Sequence, residues 1–326
     1  MHDTFGRRIE YLRISVTDKC NLRCVYCMPE AGLPWLRHEQ ILSYEEIAQV
    51  VATMAPMGLR KLRLTGGEPL VRRDVVKLVE LLAAIPGIED IALSTNAVLL
   101  ADQAAALRQA GVTRANISLD SLRPDRIDAI ARRPGTHTRI LDGLSAAEQV
   151  GFDPLKINVV VMRGRNDDEL EDFARATSDR PWHVRFIELM PVGENLGISA
   201  SEFVSAIEML QRLRRIGALE PVAGPAGNGP ATYFQYPNAR GSVGVITPMS
   251  HNFCDRCNRM RLTADGHLRP CLFGDIQTNL RDPLRRGEPL EPLIQHTLII
   301  KPERHHLIQG SATGSGGLRA LSQVGG

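Results

Sequence analysis

Apolar and polar positions alternate along most of this chain in a pattern that predicts short strands separated by amphipathic helices. Apolar runs of strand length lie at residues 11–16, 61–65, 88–93, 114–118, 155–161 and 184–189. The 3.6-residue period predicts helices at residues 43–58, 74–85, 102–110, 138–150, 168–177 and 202–215. In the first of these helices Glu46 follows Ser43 by three residues, which is the spacing of a capping box.

This alternation predicts an α/β fold. Strands and helices that alternate over such short connections are expected to form parallel strands joined by right-handed crossovers. About six strand–helix units are too few for the closed eight-stranded barrel, so we expect an open, partial (β/α)6 barrel of the TIM type. Ligands in such folds bind at the carboxyl ends of the strands. Segments able to bind them follow the predicted strands there: a cysteine-rich loop, Gly66-Gly67-Glu68-Pro69, Ser94-Thr95-Asn96, Ser118-Leu119-Asp120-Ser121 and residues 188–191.

The last third of the chain has a different pattern and predicts a smaller α+β domain. Residues 217–230 are rich in Pro, Gly and Ala, which is typical of a linker or mobile loop. Residues 232–236 and 242–246 predict a β-hairpin that carries the later cysteines. We therefore expect a core domain over residues 1–220 and a C-terminal domain over residues 221–326. The polar, glycine-rich residues 310–326 have the composition of a disordered terminus.

Composition narrows the class of protein. The chain has 39 basic and 37 acidic residues, a net charge of +2, which gives no strong field toward nucleic acid or membrane. No apolar run approaches the roughly 20 residues of a membrane span. Residues 1–10 are polar and charged, unlike a secretory signal. These features predict a cytoplasmic protein with no nucleic-acid or membrane partner.

The cysteines carry the candidate chemistry. They form an N-terminal trio, Cys20, Cys24 and Cys27, and a C-terminal trio, Cys254, Cys257 and Cys271. Thiolates are soft ligands suited to iron–sulfur clusters, zinc or copper(I). A [4Fe-4S] cubane has four irons, so three cysteines leave one iron open to a ligand that is not protein. We expect two such clusters to face each other across one cavity.

Six cysteines could also form disulfides or bind structural zinc. Three disulfides are disfavoured because that framework belongs to short secreted chains. Structural zinc takes four ligands, and the C-terminal trio could be completed by His251 or His267. The N-terminal trio has no comparable partner nearby in sequence.

Longer segments around the cysteines resemble a known family. The N-terminal trio and Gly66-Gly67-Glu68-Pro69 are similar to the radical S-adenosylmethionine superfamily. Within it, the chain resembles the GTP 3′,8-cyclases, the family of the molybdenum cofactor biosynthesis protein A. The segments that carry this resemblance are RISVTDKCNLRCVYCMP, LRLTGGEPLVRRD, LSTN, NISLDSL, KINVVVMRGRND, RFIELMPVG and FCDRCNRMRLTADGHLRPCLF. The closing Gly325-Gly326 is similar as well, so the resemblance runs from end to end.

The resemblance implies a lyase with two [4Fe-4S] clusters and S-adenosylmethionine as cofactors. The N-terminal cluster would bind S-adenosylmethionine and generate a 5′-deoxyadenosyl radical, which is chemistry that belongs to the cofactors. The C-terminal cluster would hold GTP through its guanine. Abstraction of hydrogen from C3′ and attack on C8 would give (8S)-3′,8-cyclo-7,8-dihydroguanosine 5′-triphosphate, the first step of molybdenum cofactor biosynthesis.

The resemblance also implies roles for individual residues. The cysteines of both trios would be metal ligands. S-adenosylmethionine would be bound by Tyr26, Gly67, Ser118 and Met190. GTP would be bound by Arg13, Arg63, Ser94, Lys156, Arg259, Met260 and Arg261. Catalysis would be supported by Arg259, Arg261 and the tail residues Gly325 and Gly326.

Elementary chemistry agrees with several of these roles. Arg and Lys are the usual partners of a triphosphate. Arg259 and Arg261 are two residues apart, so in an extended segment they share one face. Gly67 has no Cβ to obstruct a ligand. Two positions depart from the family pattern: Ser94 replaces a common threonine but keeps the hydroxyl, and Ala97 replaces a common glycine.

The resemblance further implies GTP as substrate, an external electron donor and a downstream cyclic pyranopterin monophosphate synthase that receives the product. A homodimer is compatible with it. Two alternatives stay open at this point. One is a radical S-adenosylmethionine enzyme with an auxiliary cluster that modifies a peptide, and the other is a structural zinc-binding interaction module.

Overall fold

The computed structural model describes residues 1–190, 199–227, 229–305 and 320–325. In this part of the chain a single curved sheet has twelve strands in the order β12-β11-β10-β1-β2-β3-β4-β5-β6-β9-β8-β7. The strands are β1 Tyr11–Ser15, β2 Lys61–Thr65, β3 Asp90–Thr95, β4 Val112–Ser118, β5 Leu155–Val161, β6 Trp182–Glu188, β7 Glu220–Val222, β8 Thr232–Gln235, β9 Ser242–Ile246, β10 Arg259–Leu262, β11 His267–Arg269 and β12 Thr278–Asn279.

Except for the last and shortest, the helices pack against one face of this sheet. They are α1 Tyr44–Met54, α2 Val75–Ala83, α3 Ala104–Ala110, α4 Pro124–Ala131, α5 Thr136–Gln149, α6 Leu170–Asp179, α7 Ala206–Leu213, α8 Arg281–Arg285, α9 Glu291–Ile299 and α10 Leu321–Val324. The sequence analysis missed α4, α8, α9 and α10, which are short or lack a long apolar stripe. No helix in the described residues is long and apolar enough to cross a membrane.

The predicted α/β architecture is confirmed, and the C-terminal third extends the same sheet at both edges. Strands β1 to β6 are parallel neighbours in chain order. Strand β10 pairs parallel to β1, and β9 pairs parallel to β6. Strands β8 and β9 form the predicted antiparallel pair. The C-terminal trio is not on that pair, however: Cys254 and Cys257 precede β10, and Cys271 follows β11 on the opposite edge.

Local signals explain the elements that were predicted well. Ser43 caps α1 by accepting from the Glu46 N–H at 3.1 Å, and the Glu46 carboxylate accepts from the Ser43 N–H at 2.7 Å. Four apolar residues of this helix are buried: Ile47, Val50, Val51 and Met54. Burial of such a stripe against the sheet contributes most of the stability of a helix of this length.

The two faces of the parallel strands differ sharply. Leu12, Leu62, Ile117 and their equivalents on other strands point outward into the helix-packed core. The alternate positions point into the concave side and are polar or charged. The structure is therefore a sheet whose outer face forms the core and whose inner face is a polar cleft.

Ala97, which departs from the family glycine, adopts a left-handed conformation with φ of 61°. It follows β3 and packs against Gly143 in the middle of α5. A Cβ on Gly143 would lie 2.3 Å from the Ala97 carbonyl oxygen and 3.0 Å from the Ala97 Cβ. The absence of a side chain at Gly143 is what lets α5 approach this loop.

We expect Gly143→Ala to lower the free energy of unfolding by about 2 kcal/mol, although alanine is the better helix former, because overpacking a close backbone contact costs roughly 1–3 kcal/mol. Urea unfolding of the metal-free protein measures the effect. Ser145→Ala, at an exposed position of the same helix, is the control and should leave stability nearly unchanged. Equal stability of the two variants would contradict the packing argument.

Candidate active site

One cleft on the concave side of the sheet brings together most of the residues singled out by sequence. Its walls include Arg13, Tyr26, Arg63, Ser94, Ser118, Met190, Cys254, Cys257, Arg259, Arg261 and Cys271. These side chains come from β1 to β4, β10 and the loops that follow the strands. The sequence predicted ligands at the carboxyl ends of the strands, and the cleft contains residues from there, such as Ser118, together with Arg13 and Arg63 from the middle of β1 and β2.

The N-terminal trio lies in the loop after β1, and its sulfur atoms are within electrostatic reach of one another. Burial, and then the negative charge of Glu68, raises the pKa of Cys20 to about 11. Burial also raises the pKa of Cys27 to about 12. The Leu22 N–H donates to the Cys20 sulfur at 3.4 Å, which orients this thiol. Three free, half-buried thiols held in one loop form a donor set that suits a cubane cluster.

The C-terminal trio lies in the wall of the cleft on the concave side of the sheet. Burial raises the pKa of Cys254. At Cys257 burial acts in the same direction, but the positive charges of Lys301 and Arg259 outweigh it and lower the pKa of the thiol. In the described residues, no three His, Cys, Asp or Glu side chains are grouped to hold a single metal ion. A cubane makes a different demand, since each thiolate binds its own iron, and the chemistry of this donor set fits it.

Residues 320–325 lie beside the N-terminal trio and contact arginines of β1 and β10. The Gly325 carbonyl accepts from the Arg13 Nε at 3.2 Å and from the Arg261 guanidinium. Gly325 has φ of +73°, and a Cβ there would lie 2.7 Å from the Thr65 Cγ2. The backbone N–H of Ser322 donates to the Cys27 sulfur. The tail thus contacts the N-terminal trio and two predicted substrate residues, while Gly326 lies outside the described residues.

The inner face of the sheet carries a band of buried cations. Burial first, and then repulsion by Arg261 and Arg63, lowers the pKa of Arg13. Burial lowers the pKa of Arg63 to about 10. Lys156 has a pKa of about 6, because it is buried and lies near Arg185 and Arg114. Positive charges this close to one another favour a multiply charged anion between them.

Lys156 and Met260 are predicted substrate residues that do not line the open cleft. The Lys156 ammonium donates to the Ala226 carbonyl at 2.6 Å. The Met260 side chain is buried in the core on the opposite face of β10 from Arg259 and Arg261. Any contact between Met260 and a ligand in the cleft would therefore involve its backbone.

Sequence reasoning missed two members of the cation band, Arg114 and Arg185. Arg114 pairs with Asp90 through three hydrogen bonds and is 3% exposed. Arg185 donates to the Asn116 side chain at 2.7 Å. A signal was available: alternating charged and apolar residues are unexpected in parallel strands covered by helices, which are usually apolar on both faces. That alternation indicated a polar interior.

Of the predicted S-adenosylmethionine residues, Tyr26 and Gly67 lie in or against the loop of the N-terminal trio, and Ser118 and Met190 line the cleft. The Tyr26 hydroxyl donates to the Asp120 carboxylate at 2.8 Å. Burial raises the pKa of Asp120 to about 6. A Cβ on Gly67 would lie 2.3 Å from the Lys19 carbonyl oxygen. Gly67 is therefore required for close approach of the cysteine loop itself, a reason different from the ligand clearance inferred from sequence.

Comparison with known families divides the chain in two. Residues 14–177 match the radical SAM superfamily. Residues 182–307 match the family described as Molybdenum Cofactor Synthesis C.

Several relatives match over their full length. The chain is 50% identical over 329 residues to the GTP 3′,8-cyclase of Moorella thermoacetica, covering 100% of both chains. It is 49% identical over 330 residues to the GTP 3′,8-cyclase of Pelotomaculum thermopropionicum, again covering 100% of both. Among solved structures, Streptococcus suis SuiB bound to S-adenosylmethionine aligns with a TM-score of 0.61 at 14% identity, covering 88% of this chain and 68% of that one. At that identity the likeness concerns the fold alone.

We expect Gly325→Ala to reduce turnover at least about tenfold. A left-handed conformation costs an L-residue roughly 1–2 kcal/mol, and the contact with Thr65 adds to that cost. Turnover of the reconstituted protein measures the effect. Gly287→Ala is a matched control, because Gly287 has the same φ of +73° but open space around its Cβ position. If both variants lose activity equally, the contact made by the tail is not the cause.

Proposed function

Since the chain belongs to the radical S-adenosylmethionine superfamily and, within it, to the GTP 3′,8-cyclase family, we propose that it cyclises GTP to (8S)-3′,8-cyclo-7,8-dihydroguanosine 5′-triphosphate. This lyase reaction is the first step of molybdenum cofactor biosynthesis. One observation carries the proposal: the C-terminal trio and several buried cations line one cleft, whose wall also includes Tyr26, the neighbour of Cys27 in the N-terminal trio. That cleft combines one cluster site with a site for a polyphosphate and borders the loop that would hold the other cluster.

The cofactors are two [4Fe-4S] clusters and S-adenosylmethionine. The N-terminal trio would hold the first cluster, with Tyr26, Gly67, Ser118 and Met190 around S-adenosylmethionine. When both are bound and the cluster is reduced, the first cluster and S-adenosylmethionine together would supply the carbon radical for removal of hydrogen from C3′ of the ribose. The C-terminal trio would hold the second cluster. The protein then has to bind both molecules, orient C3′ toward the first trio and exclude water.

The cation band would anchor the triphosphate. Arg13, Arg63 and Arg185 line the cleft, and Lys156 lies on the same face of the sheet, next to Arg185. Mutual repulsion makes these charges unfavourable in the free protein, so a triphosphate among them would be stabilised by several charge-assisted hydrogen bonds. Each such bond contributes about 1.5–3 kcal/mol.

The guanine end of the nucleotide would lie between β10 and the C-terminal trio. Arg259 stacks on Phe253, with its guanidinium carbon 4.8 Å from the ring centroid. Arg261 lies on the same face of the strand and holds the tail carbonyl of Gly325. The Ser94 hydroxyl points into the cleft as a neutral donor for the ribose or base. Arg261 and the tail thus connect the substrate site to the N-terminal trio.

The proposal includes partners and boundaries that rest on the family. A low-potential electron donor would reduce the N-terminal cluster, and the product would pass to a cyclic pyranopterin monophosphate synthase. A homodimer is compatible with this activity. A division into residues 1–220 and 221–326 would separate the six-stranded core from the segment that carries the auxiliary cluster.

The activity is tested by incubating anaerobically reconstituted, reduced protein with GTP and S-adenosylmethionine and identifying the nucleotide product by mass. We expect Cys271→Ala to abolish product formation but to retain cleavage of S-adenosylmethionine, because the N-terminal trio is intact. Cys24→Ala should abolish both. Equal loss of cleavage in the two variants would contradict the proposed division of labour, and an unchanged nucleotide with the wild-type protein would contradict the activity itself.

The lowered pKa of Lys156 predicts that GTP binding takes up a proton. With a pKa of about 6, this amine is mainly neutral at pH 7.5 in the free protein. A nearby triphosphate raises the pKa and so favours the charged form. Calorimetric titration with GTP at pH 7.5, in two buffers of different ionisation enthalpy and without S-adenosylmethionine, measures this uptake.

The control for proton uptake is Lys156→Met. The wild-type protein should take up as much as one proton more than this variant, and the comparison removes the contribution of GTP itself. Equal proton uptake in the two proteins would show that Lys156 does not become charged when the nucleotide binds.

A further inference from the structure

Two buried cations outside the cleft contact the backbone around the C-terminal trio. Lys301 is 3% exposed and Arg7 is 8% exposed. Lys301 follows α9, and Arg7 belongs to the segment that precedes β1. The activity proposed above assigns neither residue a role, and the run Lys301-Pro302-Glu303 in which the first lies carries no other part of the site.

The Lys301 ammonium bridges the two parts of the chain that supply this trio. It donates to the Arg259 carbonyl at 3.0 Å and to the Pro270 carbonyl at 2.5 Å. Its third contact is the Cys257 sulfur at 3.7 Å. An ammonium has three N–H donors, so these three acceptors account for all of them.

The two carbonyl acceptors of Lys301 lie next to two cysteines of the trio in the sequence. Arg259 follows Cys257 by two residues and begins β10, while Pro270 directly precedes Cys271. A single ammonium therefore holds the segment of Cys257 beside that of Cys271, across the β10–β11 pair. The separation of these thiols depends on this contact as well as on the strand pairing.

Arg7 makes the equivalent connection at Cys254. Its guanidinium donates to the Cys254 carbonyl at 2.9 Å and to the Pro302 and Glu303 carbonyls, each at 2.7 Å. Asp3 pairs with the Arg7 Nε at 2.6 Å and fixes its orientation. The third cysteine is thus connected, through Arg7, to the same segment that carries Lys301.

Both cations also act through charge. Three thiolates on a [4Fe-4S] cluster give it a net negative charge, which increases by one on reduction. A buried positive charge stabilises the more negative form, and a hydrogen bond to a ligating sulfur acts in the same direction. Both effects raise the reduction potential of the cluster.

We propose that Lys301 is the positioning residue of the C-terminal cluster: it fixes Cys257 relative to Cys271 and raises the reduction potential of the cluster, with Arg7 supporting Cys254. The inference deepens the proposed function and rests on one part of it, namely that this trio holds a [4Fe-4S] cluster. It does not depend on which molecule the open iron binds.

The test isolates the C-terminal cluster by replacing the N-terminal cysteines with alanine in the full-length chain. In this background Lys301→Met, Lys301→Arg and the wild-type residue are compared by iron content and by redox titration followed by electron paramagnetic resonance. We expect a lower midpoint potential in Lys301→Met and a potential near that of the wild type in Lys301→Arg. The control Lys77→Met, at an exposed lysine of α2, should match the wild type.

Two results support the proposal and one overturns it. A lowered potential supports it, and so does loss of this cluster in Lys301→Met when the same substitution in the full-cysteine protein leaves S-adenosylmethionine cleavage intact. A full cluster with the wild-type potential overturns it. If Lys301→Met does not fold, Lys301→Gln takes its place, since an amide keeps two donors without the charge, and an unchanged potential in that variant is equally decisive.

These measurements are separable from the activity assay. Iron content and potential are obtained without GTP, so a protein that makes no cyclised nucleotide can still pass this test. Conversely, an active enzyme whose second cluster is unaffected by Lys301→Met would leave the proposed function standing and remove the role of Lys301.

Discussion

Positive charge buried inside the curved sheet is the constraint on which the rest of the site depends. Removing a charge from water costs several kcal/mol even after relaxation, and this cleft concentrates several cations. The described residues offset part of that cost: Asp90 pairs with Arg114, and the carbonyls of Ala226 and Gly325 accept from Lys156 and Arg13. These acceptors are mostly neutral, so a polyanion would be stabilised more strongly. The fold can bear this cost because the apolar outer face of the sheet forms the hydrophobic core with the helices and so stabilises the structure.

The second constraint is that the C-terminal trio must reach a cleft built mainly by the parallel core, although it is more than 200 residues from the cysteine loop after β1. The C-terminal segment achieves this by pairing with both edges of the parallel core. Glu188 secures one side, since its buried carboxylate accepts from the Ala206, Met249 and Ser250 N–H groups. Lys301 and Arg7 secure the other side. The C-terminal trio is therefore held by contacts from the N terminus, from β6 and from the segment after α9.

The tail connects these two arrangements. Arg13 belongs to the cation band, and Arg261 lies on β10. Both contact the carbonyl of Gly325. The same tail donates to the Cys27 sulfur through Ser322. A change at Arg13 or Arg261 thus has a direct physical connection to the N-terminal trio. Carbonyl oxygens are weaker acceptors for guanidinium groups than phosphates are. A phosphate-bearing ligand could therefore replace the Gly325 carbonyl as the acceptor of these two arginines.

Much of this protein follows from its sequence because the relevant signals are local. The spacing of Cys20, Cys24 and Cys27, the Ser43–Glu46 cap and the strands at residues 61–65 and 155–161 need only neighbouring residues, and the alternation of Arg259 and Arg261 follows from the period of a strand. The tertiary structure decided what depends on distant pairing: the parallel registers of β10 with β1 and of β9 with β6, the place of the C-terminal trio, the burial of Arg114 and Arg185, and the contacts of Lys301. Backbone pairing between segments far apart in the chain leaves no periodic trace in either segment, and a charged residue reveals its partners only when the fold has brought them together.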